Sequence, residues 1–400
     1  MLTYAVRPGD TYLRIARKFG VNPYALYAAN PAIAPGEYAQ PGDLLRIPAR
    51  PARLRVLQPG DTPDSLSGRY GIPADAWIGC NPALAAGGWH PGAVAVVPPA
   101  GTPGIVDATA EYGYRDMMAD CAALKKRYPS WLELTVIGTS VLGKPLPAMR
   151  IGGGPRRLHV NASFHANEWI TSALLMRFAE RLAAACASGG EIAGEPAREL
   201  CGRTTLWLVP MVNPDGVELV QEGVRPDHPF YRELLRWNRG SRRFDRWKAN
   251  ARGVDLNDQF PAHWEAECER RDTDGPGPRD YPGPSPLSEP EAAAMAAFAE
   301  AHRFDAVVAL HTQGQEIYWN YRDYEPPESE RLAQRLGRAC GYRPVKLSGS
   351  DAGFKDWFIQ RFRRPGFTVE VGLGVNPLPL ERFPEYYEEV ERLLAEAMKP

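Results

Sequence analysis

The stretch Asn161-Ala162-Ser163-Phe164-His165-Ala166-Asn167-Glu168-Trp169 decides the fold of the larger part of this chain. It follows the apolar run 158–160 and precedes a helix-like run, 170–184, so we interpret it as the junction between a buried strand and a helix. His165 then lies at the strand end and Glu168 at the helix start, where both side chains can reach one cation. A His nitrogen and a carboxylate oxygen suit zinc. A His and a Glu three residues apart are weak evidence for a metal site on their own. Support has to come from further candidate ligands elsewhere in the chain.

Apolar strand-like runs alternate with helix-like segments from about residue 107 onward. The strand-like runs are 134–137, 146–151, 158–164, 205–211, 306–311 and 367–371. The helix-like segments are 111–128, 168–187, 288–302, 327–341 and 379–398. This alternation predicts an α/β sandwich around a mixed or largely parallel sheet. Ligands of such sheets bind beyond the carboxyl ends of the strands, which is where His165 and His311 fall.

The first 99 residues contain an internal repeat. The Pro-Gly-Asp-Thr sequence at 8–11 recurs at 59–62, and the Asn-Pro pair at 30–31 recurs at 81–82. Each repeat is predicted to fold as strand, helix, helix, strand. The predicted domains are repeat 1 at 1–49, repeat 2 at 50–99, a Pro/Gly linker at 100–106 and a larger domain at 107–400.

The composition limits the class of protein. With 44% hydrophobic and 24% charged residues, the chain resembles ordinary globular proteins. A formal net charge of -1 gives no electrostatic reason to expect a nucleic-acid partner, and no apolar run approaches the ~20 residues that span a bilayer. The N-terminus shows no secretory signal pattern. The six scattered cysteines form no C-x-x-C pair, so we expect reduced thiols in a reducing compartment.

Three further residues complete a candidate catalytic set. His311 ends a buried strand and is a candidate third metal ligand, the alternative being a structural His. Asp255 lies in a dense polar cluster and can accept the second ring N–H of a metal-bound His, the alternative being a turn residue. Glu370 lies inside an apolar strand, where burial would raise its pKa toward the range of a general base. The alternative for Glu370 is a paired structural carboxylate.

These motifs occur in the order that is typical of one family. Residues 107–400 resemble the zinc carboxypeptidases, whose type members are the digestive carboxypeptidases A and B. The resemblance implies one zinc ion per chain, held by His165, Glu168 and His311. It implies that Glu370 moves the proton of the attacking water and that Asp255 orients His165.

Two departures from the digestive enzymes bear on the substrate. The resemblance makes Asn257 a contact of the substrate carboxylate, but the Arg that follows it in the digestive enzymes is replaced by Asp258. Their oxyanion-stabilising Arg is replaced by Lys248, which can supply the same charge. In having an acid at this position and N-terminal repeats, the chain resembles a bacterial branch of the zinc carboxypeptidase family, the γ-D-glutamyl-meso-diaminopimelate peptidases. Diaminopimelate carries a second amino-acid centre, so Asp258 would have an ammonium to meet.

The two N-terminal repeats resemble the lysin motif (LysM), a βααβ module that binds N-acetylglucosamine polymers. The resemblance places the sugar groove beside the Pro-Gly-Asp-Thr and Asn-Pro turns. The alternative for the second repeat is a structural spacer. The predicted glycan contacts are Gly9, Asp10, Thr11, Asn30, Pro31, Gly60, Asp61, Thr62, Asn81 and Pro82.

The leading hypothesis is a zinc peptidase of bacterial peptidoglycan, whose partners are the stem peptide and the glycan, with no nucleic acid and no membrane. The alternatives are an ordinary zinc carboxypeptidase that releases C-terminal residues, and a glycan-binding protein with an inactive peptidase fold. Without a secretory signal, we expect the protein to be cytoplasmic or to be released by lysis or sporulation. The sequence does not decide the oligomeric state.

Overall fold

The computed structural model describes most of the chain. It covers residues 2–19, 21, 23–31, 38–48, 54–63, 65–66, 78, 81, 84, 88–96, 105–108 and 110–400. The described residues divide into two compact units: those of the first lie within 1–35 and 40–107, and those of the second within 36–39 and 108–400.

In the first unit, strand β1 (Leu2–Ala5) pairs antiparallel with β2 (Leu44–Ile47). Helices α1 (Tyr12–Phe19) and α2 (Pro23–Ala28) lie between them in sequence. The structure therefore has the strand, helix, helix, strand order that the sequence predicts for the first repeat.

The second repeat begins and ends with the same kind of strand pair. Strand β3 (Leu54–Val56) pairs antiparallel with β4 (Val94–Val96). Leu57, Leu66 and Ala95 form a small buried cluster beside this pair. Most of the two helices predicted between these strands lies outside the described residues, so that prediction stays open.

The second unit is built on an eight-stranded sheet and a separate two-stranded hairpin. The strands of the sheet are β5 (Leu132–Thr139), β6 (Pro145–Ile151), β7 (Arg156–Ala162), β10 (Thr204–Val209), β11 (Ala306–His311), β12 (Glu316–Tyr318), β13 (Arg343–Val345) and β14 (Gly366–Glu370). The hairpin strands are β8 (Glu191–Ile192) and β9 (Glu195–Pro196). The helices are α3 (Tyr114–Arg127), α4 (Ile170–Ser188), α5 (Ala197–Arg203), α6 (Pro214–Glu222), α7 (Tyr231–Trp237), α8 (Trp264–Arg271), α9 (Pro290–His302), α10 (Glu328–Cys340), α11 (Phe354–Phe362) and α12 (Phe383–Ala397). Short 3-10 turns cover Ala166–Glu168, Leu256–Asp258 and Leu380–Arg382.

The strand order across the sheet is β13-β12-β14-β11-β7-β10-β6-β5. The four central strands, β14, β11, β7 and β10, run parallel to one another. Strand β12 is antiparallel to β14, and β6 is antiparallel to both β10 and β5. The predicted mixed-sheet α/β sandwich is therefore confirmed.

Burial explains why the central strands are continuous apolar runs. All six residues of β11 are buried, and because successive side chains point to opposite faces, both faces of this strand are covered. A large apolar cluster that includes Phe164, Phe260, Phe304 and Phe354 forms part of this core. The packed sheet leaves the carboxyl ends of β7, β11 and β14 at one edge. None of the described helices is long and apolar enough to cross a membrane.

Candidate active site

The chain turns sharply between β7 and α4, as the sequence predicts. Ser163, directly after the strand, has a left-handed backbone (φ 51°). Its N–H donates to Thr171 Oγ1 (3.0 Å), and its hydroxyl lies 2.7 Å from that of Ser172. These buried bonds tie the strand end to the first turn of α4. The intervening 3-10 turn then presents His165 and Glu168 on the same side.

Three buried side chains meet at the carboxyl edge of the sheet. His165 Nδ1 lies 2.9 Å from Glu168 Oε1, and His311 Nδ1 lies 3.1 Å from Glu168 Oε2. The two Nδ1 atoms are 3.2 Å apart. Ligand atoms that surround one zinc ion tetrahedrally at their usual bond lengths lie roughly 3.3 Å from one another. The donor types and their spacing therefore fit zinc, and His165, Glu168 and His311 are the residues that would hold it.

Glu168 is held in its ionised form. Burial opposes this, but the nearby His165 and His311 lower the pKa of Glu168 below its ordinary value. The backbone N–H of Thr312 also donates to Glu168 Oε2 (3.2 Å). A carboxylate that keeps its charge when buried is ready to bind a cation.

Asp255 contacts the ring nitrogen of His165 that does not face Glu168. His165 Nε2 lies 3.2 Å from Asp255 Oδ1, which leaves Nδ1 facing Glu168. Asp255 also accepts from the N–H of Asn257 and the N–H of Asp280, each at 3.2 Å. Burial opposes ionisation of Asp255, but His165 and Lys248 hold its pKa well below the ordinary value. The predicted contact between Asp255 and His165 is present.

Lys248 and Glu370 flank this set. Lys248 Nζ lies 3.8 Å from Asp255 Oδ2, and the lysine side chain is 16% exposed. Glu370 is the last residue of β14 and the direct strand partner of His311. Removal from water, and then the charge of Glu168, raise the pKa of Glu370 to about 8. The structure thus brings together all five residues of the predicted catalytic set and Lys248.

Asp258 has a partner that the sequence did not reveal. It is buried, its Oδ1 accepts from Arg271 Nη2 (2.9 Å), and its Oδ2 lies 2.8 Å from Arg271 Nε. Arg271 also donates to Asp280 (3.0 Å). The negative charge of Asp258 is therefore matched within the protein, and its contact with a substrate ammonium stays a prediction. Asn257 is half-buried and accepts from the N–H of Phe354 (3.2 Å), so its substrate contact also stays a prediction.

Arg271 is the residue near the site that sequence reasoning missed. It lies on α8, 13 residues after Asp258, and no motif marks it. One signal was available: an acid in a buried position needs a cationic partner.

Two of the predicted glycan contacts, Asp10 and Asp61, are held by hydrogen bonds within their own repeats. Asp10 accepts from the Tyr4 hydroxyl (2.6 Å) and the N–H of Arg7 (2.8 Å), and Asp61 accepts from Gln58 N–H (2.9 Å). These aspartates therefore shape their own turns, and glycan binding by them stays a prediction. The other predicted contacts among the described residues are Gly9, Thr11, Asn30, Pro31, Gly60, Thr62 and Asn81, whereas Pro82 lies outside them.

The three buried donors His165, Glu168 and His311 can hold a zinc ion, and Glu370 beside them can act as a base. This arrangement suits a zinc-dependent hydrolase. Residues 117–390 match the model of the zinc carboxypeptidase family. The chain belongs to that family and is a zinc metallopeptidase. Residues 4–48 match the LysM domain.

Relatives and solved structures agree with this assignment. The chain is 48% identical over 285 residues to γ-D-glutamyl-L-diamino acid endopeptidase 1 of Lysinibacillus sphaericus, covering 71% of this chain and 72% of that protein. It is 43% identical over 266 residues to an uncharacterised protein of Bacillus subtilis, covering 66% and 70%. The crystal structure of thrombin-activatable fibrinolysis inhibitor superimposes with a TM-score of 0.59 at 20% identity, covering 74% of this chain and 76% of the other, and supports the fold.

Proposed function

We propose that this enzyme hydrolyses the γ-D-glutamyl-meso-diaminopimelate amide of peptidoglycan stem peptides, with one zinc ion per chain. The observation that supports this most directly is the intact set of His165, Glu168, His311 and Glu370. It occurs in a chain that is 48% identical to an endopeptidase named for the γ-D-glutamyl-diamino acid bond.

Zinc, when bound, polarises the scissile carbonyl and acidifies water. Glu370 accepts the proton of the attacking water through its carboxylate and returns it to the leaving amine of diaminopimelate. Burial raises the pKa of this carboxyl group above its ordinary value, which suits a group that both takes and gives a proton.

Lys248 stabilises charge on the substrate, and Asp255 orients His165. The Lys248 ammonium lies on the same side as the metal-binding set, held by Asp255 at 3.8 Å. It stabilises the negative charge that develops on the carbonyl oxygen. Asp255 accepts from His165 Nε2, which fixes the ring with Nδ1 toward the metal.

The position after Asn257 favours this substrate over an ordinary C-terminal residue. The digestive enzymes place an Arg there to bind a free carboxylate, and this chain has Asp258. We propose that Asp258 favours the second amino-acid centre of diaminopimelate, which carries an ammonium, and that the hydrogen bond from Arg271 holds this carboxylate in place.

The LysM part of the chain fits a polymeric substrate. Two predicted sugar-binding repeats would hold the enzyme on glycan and raise the local concentration of stem peptide. We propose that the enzyme acts on wall material, either on muropeptides in the cytoplasm or after release by lysis or sporulation.

The deciding experiment is mass spectrometry of L-Ala-γ-D-Glu-meso-diaminopimelate after incubation with the full chain, with and without a zinc chelator. We expect release of diaminopimelate that stops on chelation and returns when zinc is added. A blocked α-linked dipeptide with a free C-terminus is the matched control substrate. Cleavage of the control alone would replace the proposal with an ordinary carboxypeptidase, and cleavage of neither by the zinc-loaded protein would favour a glycan-binding role.

A further inference from the structure

Two buried thiols face each other near the carboxyl end of α4, whose other end adjoins the catalytic set. Cys186, in the last turns of α4, and Cys201, in α5, have their sulfur atoms 3.1 Å apart. Cys186 is fully buried, and Cys201 is 2% exposed. A disulfide bond is about 2.05 Å long. Rotation of the two side chains by a small amount therefore brings the sulfurs to bonding distance without a large movement of the helices.

The backbone around the two thiols is fixed by hydrogen bonds. Arg198 Nε donates to the carbonyl of Cys186 (2.8 Å). The carbonyl of Cys201 accepts from the N–H groups of Gly153 and Gly154, at 3.0 and 3.2 Å. The turn that precedes β7 is thus hydrogen-bonded to α5, and the side chain of Arg198 on α5 is hydrogen-bonded to the end of α4. These contacts keep the two cysteines opposite each other in the folded state.

The other cysteines that the structure describes have different surroundings. The Cys121 sulfur lies against the sulfurs of Met117 and Met176, at 3.9 and 4.0 Å. Cys340 is buried beside the carbonyl of Gly337, and Cys268 is half-buried on α8. Among the described residues, Cys186 and Cys201 are therefore the pair placed for oxidation to a disulfide.

Cys201 is the member of the pair that lies next to the surface. Cys201 lines a surface cavity of about 490 Å³, together with Trp131, Arg150 and Arg198. Arg150 pairs with Glu133, which also lines the cavity, and Arg198 adds a second positive charge. The net positive charge of the lining suits an anionic low-molecular-weight disulfide such as oxidised glutathione.

We propose that Cys186 and Cys201 form a reversible intramolecular disulfide when the enzyme meets a glutathione-type disulfide. One of the two protein thiolates attacks the oxidant, forming a mixed disulfide and releasing one glutathione thiolate. The other protein thiolate then attacks the bonded protein sulfur and releases the second glutathione thiolate. The two protein thiols lose two protons and two electrons in total, and one oxidised glutathione becomes two reduced glutathione molecules.

The disulfide gives the enzyme two redox forms, whereas the sequence suggests six reduced thiols. The disulfide closes a short loop between α4 and α5 and so restricts the unfolded chain. We expect the oxidised form to melt roughly 5 °C higher than the reduced form. Along α4, Cys186 is roughly 25 Å from Glu168 at the usual rise per residue, so we expect turnover to be unchanged.

The test uses the full-length zinc enzyme, reduced and then incubated with oxidised glutathione, alkylated, and digested with trypsin without reduction. Cleavage after Arg181, Arg198 and Arg203 releases the peptides 182–198 and 199–203. We expect them as one linked species that separates on reduction, together with the higher melting temperature. Separate alkylated or glutathionylated peptides, or a link from either cysteine to a third one, would overturn the proposal.

Two variants show which thiols are responsible. Cys201→Ser should lose both the linked peptide and the oxidation-dependent rise in melting temperature, whereas Cys340→Ser should keep both. An equal rise in Cys201→Ser would mean that the pair does not cause the stabilisation. The peptide map of the wild-type enzyme decides the question even if Cys201→Ser does not fold.

Discussion

His311 and Glu370 are direct register partners at the carboxyl ends of adjacent parallel strands, β11 and β14. The carbonyl of His311 accepts from the N–H of Val371 (2.8 Å), which extends the pairing one residue beyond Glu370. Neighbouring strands lie about 4.8 Å apart, so the sheet itself sets the spacing between a metal ligand and the proposed general base. The relationship depends on the central core and not on a mobile loop.

Glu370→Gln tests this relationship most directly. The amide keeps the size of the side chain but cannot take a proton from water. We expect kcat to fall by about 10²- to 10⁴-fold while zinc binding is kept, since Glu370 is not one of the three ligands. Turnover of the γ-D-glutamyl substrate and zinc content by elemental mass spectrometry are measured on the same preparation.

The control for this variant is Glu388→Gln, on the exposed side of α12, where the side chain is 71% exposed. It changes one carboxylate to an amide without touching the site, and both activity and zinc should match the wild type. Wild-type turnover in Glu370→Gln would remove Glu370 from the mechanism.

Asp255→Asn should weaken zinc binding. Asp255 accepts from His165 Nε2 at 3.2 Å and fixes the ring that offers Nδ1 to the metal. Loss of such a partner costs about 10- to 100-fold in metal affinity. Competition with a fluorescent chelator measures the dissociation constant. Asp305→Asn, at the opposite end of β11 from His311, is the matched control, and equal zinc affinity in both variants would show that Asp255 does not orient His165.

The positions of His311 and Glu370 near the ends of strands could be predicted, because buried parallel strands appear in the sequence as nearly continuous apolar runs. The run 306–311 is apolar up to His311, and the run 367–371 is apolar except for Thr368 and Glu370. His311 and Glu370 both lie in the site. The junction after β7 was predicted for the same reason. Helix ends were predicted to within a few residues, for example 288–302 against the observed Pro290–His302.

Two short strands and two side-chain pairs could not be predicted, because no nearby sequence pattern indicates them. Strands β12 and β13 have three residues each and were missed, because so short a strand shows no alternation. The ion pair of Asp258 with Arg271 depends on how α8 packs beside the 3-10 turn that contains Asp258. The contact between Cys186 and Cys201 depends in the same way on the packing of α5 against α4. Such pairs are set by tertiary structure.

Lys248 should act through its charge. We expect Lys248→Met to lower kcat by about 10²- to 10³-fold with a smaller effect on KM, since the charge is needed mainly on the developing oxyanion. Lys248→Arg should recover part of the lost turnover, because a guanidinium keeps the charge. Steady-state kinetics of both variants, beside Lys126→Met on the exposed face of α3, measure this. Equal kcat in Lys248→Met and Lys126→Met would exclude an oxyanion role.

Glu291 makes the stability of the enzyme depend on pH. It is fully buried at the start of α9, where Oε1 accepts from Val141 N–H (3.0 Å) and Oε2 has no hydrogen-bond partner among the described residues. Burial, and the nearby Asp215 and Glu289, raise its pKa to about 8 from 4.5. Between these two values the folded state binds a proton that the unfolded state has lost, so the free energy of unfolding decreases as pH rises from about 4.5 to about 8.

Glu291→Gln should remove this dependence, because the amide stays neutral and still accepts from Val141 through its oxygen. We expect the melting temperature of the variant to exceed that of the wild type by several degrees at pH 8, and the two to converge near pH 5. Melting curves from pH 5 to 9 measure the difference, with Glu388→Gln as the exposed control. A constant gap between wild type and Glu291→Gln at every pH would show that Glu291 does not titrate in this range.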